Sequence, residues 1–164
     1  MAVTTIPTAG IADDAVTTAK AAFSAGKVLQ VLQDIDHTDT AISTDADTDI
    51  GLSVTITPSS TSSKIFVMLD LQYTFIYSSG ASNGFQTKIL RGGSAVFSTN
   101  TDYDVYYQSA GGNANYRARA SYSYLDSPNS TSALTYTVSL NRHTTTTVDI
   151  GEGQNILTVM EIGA

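Results

Sequence analysis

The sequence predicts an all-β chain: an antiparallel β-sandwich, jelly-roll-like, with a short N-terminal arm. Three observations lead there. Apolar residues recur at period two in segment after segment, the mark of strands with one face in a core. Turn residues punctuate those segments at short intervals. The long crossover helices of a parallel α/β sheet are missing. Residues 27–164 are read as the sandwich and residues 1–26 as the arm.

The arm reads MAVTTIPTAGIADDAVTTAKAAFSAG. Asp13 can cap a short helix over Asp14–Phe23, with Asp14 favourable in its first turn and Gly26 ending it. So short a helix does not hold in water by itself. The arm's sparse apolar side chains, Ile6, Ile11, Val16 and Phe23, fit a segment that orders only against a partner and docks the domain to a larger particle. A disordered tail is the other reading.

Lys27–Ile35 is the first strand, with Leu29, Val31 and Ile35 on one face. Asp34–Asp49 is an acidic loop. Ile50–Thr57 places Leu52, Val54 and Ile56 inward, and Pro58 stops it. PSSTSS turns into the central strand, Lys64–Tyr77, whose odd positions are Ile65, Val67, Leu69, Leu71, Tyr73, Phe75 and Tyr77. Phe66 and Met68 make its first half look buried on both faces. Phe85–Arg91 and Ala95–Thr99 flank a tight turn at Gly92-Gly93.

Asn100–Tyr116 reads as a long loop carrying Tyr103, Tyr106, Tyr107 and Tyr116. Arg117–Leu125 sets Ala118, Ala120, Tyr122 and Tyr124 on one face, with Arg117, Arg119, Ser121 and Ser123 opposite. Ala133–Leu140 alternates. Thr144–Ile150 is a short edge strand, and Asn155–Ile162 is the last. The total is about eight strands, dominated by the central one.

Composition narrows the function. The 164 residues carry 14% charged side chains, below the roughly 25% of soluble proteins. Such a surface fits a protein packed against neighbours or living outside the cell. Net charge is −7 and the basic residues are scattered, which disfavours nucleic-acid and anionic-membrane partners. No apolar run approaches the roughly 20 residues of a membrane span. The N-terminus lacks a basic region followed by an apolar one, so no secretory signal is expected. There is no cysteine, and hence no disulfide or thiolate metal site.

No catalytic constellation emerges, so a non-enzymatic protein without cofactor or metal is expected. Asp45, Asp47 and Asp49 alternate as in a calcium loop, but Ile50 stands where the EF-hand has glycine and Ile56 where it has glutamate. His37 and His143 lie far apart without ligand spacing. There is no G-x-S-x-G elbow, P-loop or dinucleotide fingerprint. The tyrosine segment offers rigid contact area with polar tips. It serves either to bind saccharide or protein, or to pack beneath the loop or against a sister subunit. Arg117 and Arg119 either pair with carboxylates across an interface or lie on a solvated face.

Five segments occur in one order: GKVLQVLQ (26–33), GLSVTITPSSTSSKIFV (51–67), KILRGGSAVF (88–97), SYSYLDSPNSTSALTYTVSL (121–140) and LTVMEIGA (157–164). Together they resemble a family of bacteriophage virion proteins, tail-fibre-like or structural, common in phages of marine bacteria and cyanobacteria. IADDAVTTAKAAF (11–23) looks like the linker repeats that precede such domains. The resemblance implies a virion location, a β-sandwich domain and a homotrimer that meets other virion proteins of the capsid or tail. It supplies no catalytic residues. The chain is short for a tail fibre, and Asp45–Asp49 is more acidic than the family pattern. The shortness favours a capsid decoration or cement protein, or a short appendage. A fibre tip that recognises a host-surface saccharide or protein is the other reading.

Overall fold

The computed structural model describes residues 26–77, 82–99, 105–108, 114–142, 147–151 and 153–163. The expected arm helix, with Ile6, Ile11, Val16 and Phe23, lies outside them. Every regular element among the described residues is a strand. In chain order they are β1 (Lys27–Asp36), β2 (Thr40–Ile42), β3 (Thr48–Ile56), β4 (Lys64–Tyr77), β5 (Ser82–Arg91), β6 (Ser94–Ser98), β7 (Val105–Gln108), β8 (Ala114–Asp126), β9 (Leu134–Arg142), β10 (Val148–Ile150) and β11 (Asn155–Gly163). Two antiparallel sheets pack face to face as a sandwich.

β4 organises the six-stranded sheet, with the bounds its alternation predicts. One edge pairs with β8 without interruption, from Ile65 opposite Asp126 to Tyr77 opposite Ala114. The other edge is shared. β11 pairs with Lys64–Asp70 and β10 with Tyr73–Phe75. β1 lies beyond β11, and β2 beyond β10. The chain leaves β10 at Gly151 and crosses to β11. Gly151 has φ +122°, and a Cβ there would stand 2.1 Å from the Thr38 carbonyl oxygen, so the crossing needs glycine.

The second sheet runs β3-β9-β5-β6, with β7 pairing the start of β5. Gly92 and Gly93, at φ +56° and +83°, make the two-residue turn between β5 and β6. Two positive φ values match the type I′ turn, whose twist suits a hairpin.

The core lies where the inner faces meet. β4 supplies Ile65 through Phe75 at alternate positions. β3 supplies Ile50, Leu52, Val54 and Ile56, and β9 supplies Tyr136, Val138 and Leu140. Each such side chain contributes on the order of 1.5–3 kcal/mol. Tyr73, Phe75 and Phe85 close one end, with ring centroids 5.1–6.0 Å apart.

Several expected elements differ. The acidic segment 34–49 is not one loop, since β1 runs on to Asp36, β2 lies within it and β3 begins at Thr48. β10 is an interior strand between β4 and β2, not an edge. Both short strands span three residues, too few for alternation to register. The tyrosine segment is likewise divided, because Val105–Gln108 pairs with β5 and β8 begins at Ala114.

A buried carboxylate ties β1 and the turn after β3 to β11. Glu161 stands at an inward position of β11. Its Oε1 accepts from the Ser59 amide at 2.7 Å and from Ser59 Oγ at 2.6 Å, and its Oε2 from Gln30 Nε2 at 2.6 Å. Burial alone would raise its pKa, but these bonds hold it down at about 2. The carboxylate is therefore worth about 3 kcal/mol of stability above its ordinary pKa of 4.5. That contribution fades as the pH falls from about 5 towards 2. Wild type is thus expected to lose about 2 kcal/mol more than Glu161→Gln between pH 7 and pH 3. Urea unfolding of both proteins at the two pH values checks this. Equal losses would contradict it.

Candidate functional site

No group of three or more His, Asp or Glu side chains able to hold a metal ion occurs among the described residues. The alternating aspartates diverge to separate partners. Asp45 pairs with Arg142 at 3.3 Å, Asp47 with Lys88 at 2.8 Å, and Asp49 Oδ1 accepts from the Gly51 amide. The Lys88 ammonium and Asn141 hold the Asp47 carboxyl below its usual range against the cost of burial. His37 is exposed, and His143 lies outside the described residues.

Tyr106 and Tyr116 lie on different sheets. Tyr106 is 48% exposed on β7, directly opposite Gly84. Tyr116 is 41% exposed on the other sheet, its ring stacked on Phe75 at 6.5 Å. It caps the aromatic end of the core while presenting one side outward. Tyr107 sits on β7 opposite Asn83. Tyr103 lies outside the described residues.

Arg119 lies across its own sheet. Its Nε meets Asp70 at 2.8 Å and its Nη2 the Gln154 carbonyl at 2.9 Å. Arg117 Nε reaches Thr74 Oγ1 at 3.3 Å.

The surface with most apolar character is the outer face of the six-stranded sheet. Direct pairing across β1, β11, β4 and β8 sets Val31, Met160, Phe66 and Leu125 in one row. A row below it holds Gln33, Thr158, Met68 and Ser123. Ile35, Ile156, Asp70 and Ser121 follow. On the far side, Val28 and Ile162 lead to Lys64. Val28, Val31, Ile35, Met68 and Leu125 are each 43–54% exposed. Such a run of apolar side chains marks an interaction site more often than ordinary surface. A hollow of about 380 Å³ opens in it, bounded by Met68, Asp70, Ser121, Ser123, Ile156 and Thr158.

Sequence reasoning pointed to parts of this face without assembling it. Val31 and Ile35 were expected together, and they are, whereas Leu29 falls at a register shift between Val28 and Gln30. Phe66 and Met68 were expected to be buried. Phe66 is half-buried and Met68 exposed, because no described segment covers this side of β4. The missing signal was register, since four strands distant in sequence contribute one row.

No family model matches the chain, and no curated protein does. Among solved structures the chain is similar to dimeric latent PorU from Porphyromonas gingivalis, at 12% identity and a TM-score of 0.33. The match covers 86% of this chain and spans 14% of that one. A likeness at that level carries no argument about function.

Proposed function

We propose that this chain is a non-enzymatic structural component of a bacteriophage virion, a trimeric capsid decoration or cement protein or a short appendage. The observation that carries the proposal is the apolar row Val31, Met160, Phe66 and Leu125, which runs across four strands on the outer face of the six-stranded sheet. A protein that works by assembly needs such a face, and the low charge of the chain fits the same role. The virion setting rests on the five ordered segments that resemble phage structural proteins. Residues 1–26, with Ile6, Ile11, Val16 and Phe23, are the proposed docking arm.

The exposed rings of Tyr106 and Tyr116 favour a second reading, a receptor-binding tip that meets a host-surface saccharide or protein. Their separation on two sheets suits two independent contacts better than one stacking platform. Immunogold electron microscopy of intact particles tests both readings, since label on the head and label at fibre tips separate them.

A further inference from the structure

We propose that Lys88 and Asn141 join in an intramolecular isopeptide bond that staples β5 to β9, with Asp47 relaying the proton. The bond does not depend on the virion reading and forms whether or not the chain assembles.

Register brings the reacting groups together. Lys88 stands directly opposite Ser139, and Gln86 opposite Asn141, on the outward side of the five-stranded sheet. Lys88 and Asn141 are therefore diagonal neighbours on one face, a separation that long side chains span. Asp47, from the segment between β2 and β3, meets both. Lys88 Nζ donates to its two oxygens at 2.8 Å each, and Asn141 Nδ2 donates to its Oδ1, also at 2.8 Å. One carboxylate oxygen thus touches the attacking nitrogen and the leaving nitrogen. The amide has a second anchor, since Asn141 Nδ2 also donates to Gln86 Oε1 at 3.2 Å. Gln86 Nε2 is fixed in turn by Ser98 Oγ and the Thr99 carbonyl.

Burial sets this cluster apart from an ordinary surface ion pair. Asn141 is 9% exposed and Gln86 6%, although both stand on the outward side. Asn141 Oδ1 and Ser139 Oγ are buried without a hydrogen-bond partner among the described residues. A buried amide oxygen left bare is rare and calls for a reason. Here it is the oxygen that takes up charge when the amide is attacked. The Ser139 hydroxyl, on the same face of the same strand, is a donor at hand for it.

The chemistry balances within one chain. Asp47 takes a proton from the Lys88 ammonium, and the neutral amine attacks Asn141 Cγ. The Nζ–Cγ bond forms and an electron pair moves onto Oδ1. Asp47 passes its proton to Nδ2 and accepts a second from Nζ. The carbonyl then re-forms, the Cγ–Nδ2 bond breaks, and ammonia leaves with the second proton as ammonium. One alkylammonium and one primary amide enter; one secondary amide and one ammonium ion result, with no oxidant, reductant or cofactor. The ion pair keeps the amine protonated most of the time, so the step is slow. It has to happen only once, and the ammonium escapes past Asp47, whose side chain is 43% exposed. Well-oriented groups reach effective molarities of about 10⁵–10⁸ M.

Intact-mass spectrometry of the purified full chain tests the bond. The expected mass is below that of the sequence by one ammonia. Trypsin is then blocked at Lys88 and yields residues 65–91 joined to residues 120–142. Lys88→Arg keeps a cation beside Asp47 but has no reactive amine, so it is expected to fold and to show its full mass. Asp47→Asn is expected to slow the linkage about a hundredfold or more, the usual worth of a positioned acid–base group. A wild-type chain that keeps its full mass on prolonged incubation, and is cleaved at Lys88, overturns the proposal. So does loss of water in place of ammonia, which would join Lys88 to Asp47 instead. Loss of ammonia that persists in Lys88→Arg would mark a cyclised asparagine and overturn it equally.

Discussion

Leu69→Asp is expected to leave the chain unfolded. Leu69 is fully buried at the middle of β4, directly opposite Leu157 on one side and Tyr122 on the other. Removing a core leucine costs about 2–5 kcal/mol by itself. A carboxylate in its place adds several kcal/mol of desolvation, with no partner supplied. Domain stabilities are about 5–15 kcal/mol, so the two costs together consume most or all of it. Loss of the far-UV signal of β-structure and rapid thermolysin digestion are the expected readouts. Met68→Asp, one residue earlier, should fold, because its side chain points outward. A protease-resistant Leu69→Asp protein would overturn the account of β4 as the centre of the fold.

Asp126→Ala is expected to cost about 3 kcal/mol, the lower end of the range for breaking a buried ion pair. Asp126 ends β8 in one sheet and fastens it to the other. Its Oδ2 accepts from Arg91 Nη1 on β5, and from the buried Tyr136 hydroxyl on β9 at 2.7 Å. Its Oδ1 accepts from the Ser127 amide at 2.7 Å. Burial pushes the Tyr136 phenol up from its ordinary pKa, and the Asp126 carboxylate beside it adds to the rise. Truncating Asp126 leaves the Tyr136 hydroxyl and a half-buried guanidinium without this acceptor. Arg91 keeps some access to water, which places the cost at the lower end. Tyr136→Phe removes one bond and is expected to cost only about 1 kcal/mol. Urea unfolding of both variants measures the difference, and an Asp126→Ala midpoint equal to wild type would contradict the latch.

The sequence made β4 legible to the residue because fourteen positions alternate there without a break. β3 and β9 were legible for the same reason. β2 and β10 were not, because three residues carry no period. β7 was hidden among tyrosines that read equally well as loop. Of the polar anchors, Glu161 and Asp126 were missed although parity marked both. Glu161 continues the inward series of Leu157 and Val159, and Asp126 that of Tyr122 and Tyr124. A charge at an inward position signals a buried network, but only the tertiary fold shows that Ser59, Gln30, Arg91 and Tyr136 answer it. The candidate face was the least legible feature. Alternation shows which residues share one side of a strand, whereas the face depends on which strands become neighbours.

The assignment to a virion is tested most directly by immunogold electron microscopy of intact phage particles with an antibody to this chain. The account predicts gold bound to the particles. Label spread over the head would mark a decoration protein, and label confined to fibre tips would mark the receptor-binding reading built on Tyr106 and Tyr116. Unlabelled particles, with the chain recovered only from the soluble fraction of the infected host, would contradict the virion assignment.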